Sequence, residues 1–223
     1  MSVPKPPEIL PIFPLTGVLL LPGMLLPLQI FEPRYLNMVR DALDGGRHVG
    51  MIQPVVPRQD NRPAPGSEQE TPELYAVGCA GLLEHHQQSP DGRYLIHLRG
   101  VIRFRIAEEL PLHEGYRRVR ADYGEFAADA EEPGMEHDPA LLMEALQAYA
   151  ERQNLRLDLE EARSLRGPML INSLAASLPY TPPEKQALLE APSLAERERL
   201  LIDLLTLGSA VDPLADPEPP KVN

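Results

Sequence analysis

The chain has 223 residues, 43% hydrophobic and 24% charged, which suits one domain or a domain with a helical appendage and excludes wholesale disorder. Its net charge of −12 is lopsided, since residues 1–125 carry 13 Lys and Arg against 15 Asp and Glu, and residues 126–223 carry 8 against 18. Such a field repels phosphate, so nucleic acid and anionic membranes are poor partners; the single cysteine, Cys79, rules out an internal disulfide and any zinc site built on several thiolates.

The N-terminal stretch lacks a basic segment followed by an unbroken apolar run, so no secretion signal is expected, and the cysteine usage fits a reducing, cytoplasmic setting. Residues 9–125 form a zone of short apolar runs broken by Gly and Pro, with 26 prolines in the whole chain. Leu15 to Phe31 is the greasiest part, yet Gly17, Pro22, Gly23 and Pro27 cut it. It is too short for the ~20-residue helix of a membrane span and reads as strand, turn and strand. Glu32-Pro33-Arg34-Tyr35 opens a helix to about Leu43, with Glu32 expected to cap it and Gly45-Gly46 to stop it.

His48 to Val56 reads as a strand, Pro57 to Pro72 as a long polar loop, and Leu74 to His86 as the next strand. Ser89-Pro90-Asp91-Gly92 makes the tight turn of a hairpin into Tyr94 to Ile106. There Tyr94, Ile96, Leu98, Ile102, Phe104 and Ile106 face one way, and Leu95, His97, Arg99, Val101, Arg103 and Arg105 the other. Gly100 marks a bend or bulge, and Tyr116 to Tyr123 adds one more strand. Glu125 to Pro139 is acidic and breaker-rich, a linker or loop.

From residue 138 to 208 the spacing turns helical. Asp158 with Glu161, Thr181 with Glu184 and Ser193 with Glu196 fit the capping box, in which cap and third-residue side chains satisfy each other's orphan N–H groups. Residues 209–223 read as a disordered tail. The organisation expected is therefore 8–125 rich in strands and 138–208 helical, an α+β chain.

Lysine occurs only at positions 5, 185 and 221, none in a phosphate-binding loop, and no nucleophile elbow or metalloprotease helix is present. The residues best able to hold a metal are Cys79, His85, His86 and His97, but neighbouring His85 and His86 point to opposite faces of a strand, so no metal or cofactor is expected. Arg99, Arg103 and Arg105, with Arg117, Arg118 and Arg120, form the one basic cluster; it either pairs with the acidic helical half, lies solvated on the sheet, or makes an RNA patch.

Ile9-Leu10-Pro11-Ile12-Phe13-Pro14-Leu15, Val18-Leu19-Leu20-Leu21-Pro22-Gly23, Leu26-Pro27-Leu28 and Ile30-Phe31-Glu32-Pro33-Arg34-Tyr35 resemble the N-terminal, substrate-binding domain of Lon proteases. The resemblance continues through Val77-Gly78-Cys79-Ala80, Gly100 to Ile106, and Leu178-Pro179 on to Leu200-Leu201, about residues 8–207. It implies a PUA-like β-barrel-type subdomain with an inserted helix, followed by a C-terminal helical bundle. It also implies a stand-alone recognition module, because Lon proteases continue into an ATPase and a Ser-Lys peptidase and this sequence ends at Asn223.

The function expected is a non-enzymatic module that binds polypeptide, an unfolded segment or a partner protein. Consecutive apolar residues alternate faces in a strand, so around the Pro-Gly turn either some apolar surface stays exposed or the helical half covers it. Leu20, Leu21, Pro22, Met24, Phe31, Arg34 and Tyr35 are the candidate contact residues. An RNA-binding PUA-like protein, or an enzyme using Glu32, Arg34 and Tyr35, are the alternatives.

Overall fold

The computed structural model describes residues 5–55, 72–130, 139–155, 157–165 and 167–207. Six strands, β1 (Ile9–Pro14), β2 (Leu25–Ile30), β3 (His48–Ile52), β4 (Val77–Gln88), β5 (Tyr94–His113) and β6 (Tyr116–Asp122), form one sheet in the order β2-β5-β4-β3-β1-β6. β1 is parallel to β3, and the other pairings are antiparallel. β5 is 20 residues long and changes partners along its length, pairing with β2 through Arg99, with β4 through Arg105 and with β6 from Arg105 onward. The ladder path β1-β3-β4-β5-β6 therefore returns to β1, while β2 stands outside it on the free side of β5.

Closing such a path needs sharp bends, and the register shifts at Ala80/Gly81, Leu83/His85, Ile106/Glu108 and Leu110/His113 provide them. The first shift lies opposite Gly100, the expected bend. Leu10, Ile12, Val49, Leu83, Ile96, Leu98 and Phe104 meet inside the sheet with essentially no exposure. The period-2 pattern of β5 selects its share of this core: Tyr94, Ile96, Leu98, Ile102 and Phe104 are buried. Arg103, expected on the outer face, is buried as well, for reasons given below.

The inserted helix α1 (Pro33–Asp44) has Pro in its first turn and packs Tyr35, Met38, Val39 and Ala42 inward against β1 and β6. Glu32 makes no side-chain cap, correcting that expectation: its carboxylate is taken by Arg34 at 2.8 Å. The second expected strand within 15–31 is present as β2, but Val18–Leu21 is not a strand; it passes as an irregular strap over β5. β4 begins at Val77 rather than Leu74, which makes only an isolated bridge to Pro54.

After β6, residues Gly124–Ala130 form a 3-10 turn against β5 with Phe126 buried, so this part of the expected linker is a packed element. Helices α2 (Ala140–Arg152), α3 (Leu159–Ser164), α4 (Pro168–Ser177), α5 (Pro182–Glu190) and α6 (Leu194–Leu207) follow. α2, α4 and α5 pack on α6, and α5 also touches β4. All three expected caps carry a local hydrogen bond: Glu161 N–H donates to Asp158 at 2.9 Å, Glu196 N–H donates to Ser193 at 3.2 Å, and Thr181 with Glu184 forms the full reciprocal box. The stretches 56–71, 131–138 and 208–223, which hold most of the expected long loop, linker and tail, lie outside the described residues.

Candidate functional site

The strap decides what the apolar run around Pro22-Gly23 presents. Gly100 has no side chain, so the Leu21 backbone lies directly on it; a Cβ at Gly100 would overlap the Leu21 carbonyl. Gly23 N–H donates to Gly100 O at 2.9 Å, Gly100 N–H to Met24 O at 2.8 Å, and Met24 N–H closes the turn on Leu21 O at 3.1 Å. Gly23 sits at φ 83°, a left-handed conformation that suits glycine.

From the other side the helices hold the strap. Asn172 of α4 donates to Pro22 O at 3.1 Å and Lys185 of α5 to Gly17 O at 2.8 Å. Gly17 N–H in turn donates to Gln53, itself bonded to Gln186 of α5. Burial holds the Lys185 ammonium below the usual lysine range. Leu19, Leu20 and Leu21 are consequently at most 3% exposed, so Leu20 and Leu21 are core and not available surface. Tyr35 is also inside, its ring 4.3 Å from Phe13 with the Arg34 guanidinium over it.

The remaining candidates reach solvent: Pro22, Met24 and Arg34 are half-buried and Phe31 is 53% exposed. Exposed apolar residues not singled out from sequence accompany them. Leu25 and Leu95 stand out from the β2–β5 ladder, and Met169 of α4 lies beside Gly23. In β2 the alternation assigns Leu26, Leu28 and Ile30 to the inner face and Leu25, Pro27 and Gln29 to the outer, with Phe31 next in that outer row. Over six residues at ~3.3 Å each, this row, apolar except at Gln29, runs about 20 Å from the Pro-Gly turn to the start of α1. Alternation could have found Leu25; Met169 comes from 146 residues further on and only the fold brings it there.

Five of the six arginines of the cluster form ion pairs among the described residues, while the Nε of Arg118 is buried without a hydrogen-bond partner there. Arg99 meets Glu84 at 2.5 Å, Arg105 meets Glu125, Arg117 meets Glu109, and Arg120 meets Glu8 and Glu108. None of these carboxylates belongs to the acidic helices. Arg103 alone spans the two parts: it grips Asp129 through two nitrogens and donates to the carbonyls of Leu189 and Ala191 at the end of α5. Arg197 of α6 lies close by, donating to Leu188 O and Asn172, and burial lowers its pKa to about 10. Cys79 lies in this same interior, its thiol pushed up to about 12, first by burial and then by Asp129, and is therefore a packed small residue and not a nucleophile. Glu32, Arg34 and Tyr35 form no constellation for acid–base work, since the first two pair and the third is buried. Among the described residues no group of three or more His, Cys, Asp or Glu is arranged to hold a metal, and no helix is long and apolar enough to cross a membrane.

The architecture is a mixed six-stranded sheet and helices with an apolar row along the β2 edge. The model of the ATP-dependent protease La (LON) substrate-binding domain matches residues 9–206, and the chain belongs to that family. It is 27% identical over 203 residues to Lon protease 2 of Myxococcus xanthus, covering 89% of this chain and 24% of that protein. The chain thus spans about a quarter of the length of the curated relatives it matches. The Lon N-terminal domain protein of Xanthomonas campestris is 25% identical, with a TM-score of 0.58 over 87% of this chain and 97% of that one. The N-terminal domain of Lon protease from the Mycobacterium avium complex shares the fold, with a TM-score of 0.60 at 18% identity over 89% and 98% of the two chains.

Proposed function

We propose that this chain is a non-enzymatic polypeptide-binding module, acting without ATPase or peptidase activity in the cytoplasm. The observation that carries the reading is the exposed apolar row Leu25, Pro27 and Phe31, with Pro22, Met24, Leu95 and Met169 beside it, on a domain of the Lon substrate-binding family. Single exposed leucines are ordinary on any surface, but a row on one strand next to an adaptable methionine suits extended segments of varied sequence. Arg34, partly exposed three residues after Phe31 in the chain, adds one polar anchor. Leu20, Leu21 and Tyr35 serve this surface from beneath, by holding the turn and the start of α1 in place. The ladder path that returns to β1 supports a PUA-like barrel-type reading of the sheet, and the packing of α2, α4 and α5 on α6 supports a C-terminal bundle.

The test is fluorescence anisotropy with a labelled, permanently unfolded polypeptide such as a reduced and carboxymethylated protein. Intact protein is expected to bind it saturably, and Phe31→Asp and Leu25→Asp to weaken binding at least about fivefold, roughly 1 kcal/mol each, without shifting the thermal transition. Absence of binding by the intact chain would overturn the proposal; unchanged binding by both variants would move the surface elsewhere.

A further inference from the structure

We propose that His85 and His97 form a two-imidazole site for a borderline divalent cation of the Zn2+ and Cu2+ class, on the outer face of the β4–β5 ladder. The two residues are directly opposed in the antiparallel register, where facing Cβ atoms stand about 4.5–5.5 Å apart. Their ring centroids are 5.9 Å apart with the planes at 84°. Two imidazoles sharing one cation at ~2.0–2.1 Å per Zn–N bond hold their ring centres about 5–6 Å apart, so the pair needs only small rotations about χ angles to chelate. Among the described residues no hydrogen bond is made to either ring, which leaves their nitrogens available as ligands.

The local backbone explains why the pair exists. The register shift between Leu83 and His85 makes Glu84 an extra residue, so Glu84 and His85 together oppose the His97 position instead of alternating across the sheet. Glu84 is held by Arg99 at 2.5 Å. It neutralises Arg99 next to the site and thereby removes the charge that would most oppose a cation. His86 is excluded by the same geometry, since it is paired with Ile96 one step further along the ladder. Imidazole nitrogen selects Zn2+, Cu2+ and Ni2+ over Mg2+ and Ca2+, and the two positions the protein leaves open would be filled by water or by a donor from a bound partner. This site stands independently of polypeptide binding.

The experiment is titration of the full, tag-free chain with ZnCl2 by isothermal calorimetry in a non-chelating buffer, with MgCl2 as the control. One-to-one, saturable Zn2+ binding is expected, weakened at least about tenfold by His97→Ala and by His85→Ala and unchanged by His86→Ala. In parallel, sub-stoichiometric Cu2+ should broaden the imidazole resonances of His85 and His97 in the unmodified protein before those of the other histidines, a readout that needs no variant to fold. No saturable Zn2+ binding, binding by the His85 and His97 variants as tight as by the unmodified protein, or loss on His86→Ala would each overturn the site.

Discussion

Arg103 shows how one side chain ties the molecule together. Its guanidinium is 4% exposed and its partner Asp129 10%, and it also satisfies two carbonyls at the end of α5. The pair need not be worth much net against an apolar replacement of both partners, but removing one leaves a buried charge alone. Arg103→Leu is therefore expected to cost about 3–5 kcal/mol in urea unfolding, and adding Asp129→Leu to that variant to restore part of the loss; a double variant as unstable as the single one would refute the coupling. Tyr180 is the opposite case. Its hydroxyl is buried with no hydrogen-bond partner among the described residues, and burial raises its pKa above the usual phenol range. Tyr116, where burial acts with the Asp41 hydrogen bond, and Tyr123 are raised in the same direction. In the unfolded chain these phenols ionise near pH 10, so their contribution to stability is complete below that and is lost as pH rises through and beyond it. Tyr180→Phe should leave stability at pH 7 equal or up to about 1 kcal/mol higher, and flatten the alkaline loss measured by denaturant titration from pH 9 to 11.

At the scale of elements, β2 is the edge that needs protection, since no described strand pairs with its outer side. Gly100 N–H donating to Met24 O makes Leu25 and Arg99 a non-hydrogen-bonded pair, so Leu25, Pro27 and Gln29 direct their backbone groups outward. Pro27 thus sits where its missing N–H costs the ladder nothing and interrupts any strand added from outside. Pro27→Thr should complete a flat apolar edge and produce concentration-dependent self-association in sedimentation velocity; a variant that stays as monodisperse as the parent protein would refute this role. The pairing of β2 with an apolar outer row and an internal proline suits contact through side chains more than through backbone pairing.

For the whole molecule, the strap and the buried polar contacts make the sheet and the helices mutually dependent. Leu20 and Leu21 are covered from both sides, Gln53 meets Gln186, and Gln186 also donates to Val77 O. Neither part buries its half of this interface alone. Urea unfolding followed by far-UV circular dichroism and by tyrosine fluorescence is expected to give one coincident transition, and residues 1–125 expressed alone to aggregate. Two separated transitions would mean that the sheet and the helices are independent folding units.

Much of this was legible in the sequence because it is local. Period-2 alternation marked the inner row of β5, Pro33 and Gly45 bracketed α1, and three capping pairs marked helix starts, since each depends on residues within a few positions. The order of strands followed by helices and the family resemblance were readable for the same reason. Local pattern could not say that Leu20 and Leu21 lie on Gly100 while α4 and α5 hold the strap at Pro22 and Gly17, and an apolar run therefore reads as equally able to be surface or core. Nor could it say that Arg103 turns inward to meet Asp129 and two carbonyls from α5, or that a bulge at Glu84 sets His85 opposite His97. Those outcomes depend on groups tens of residues apart competing for the same interior space and the same hydrogen bonds, and only the folded chain decides which of them meet.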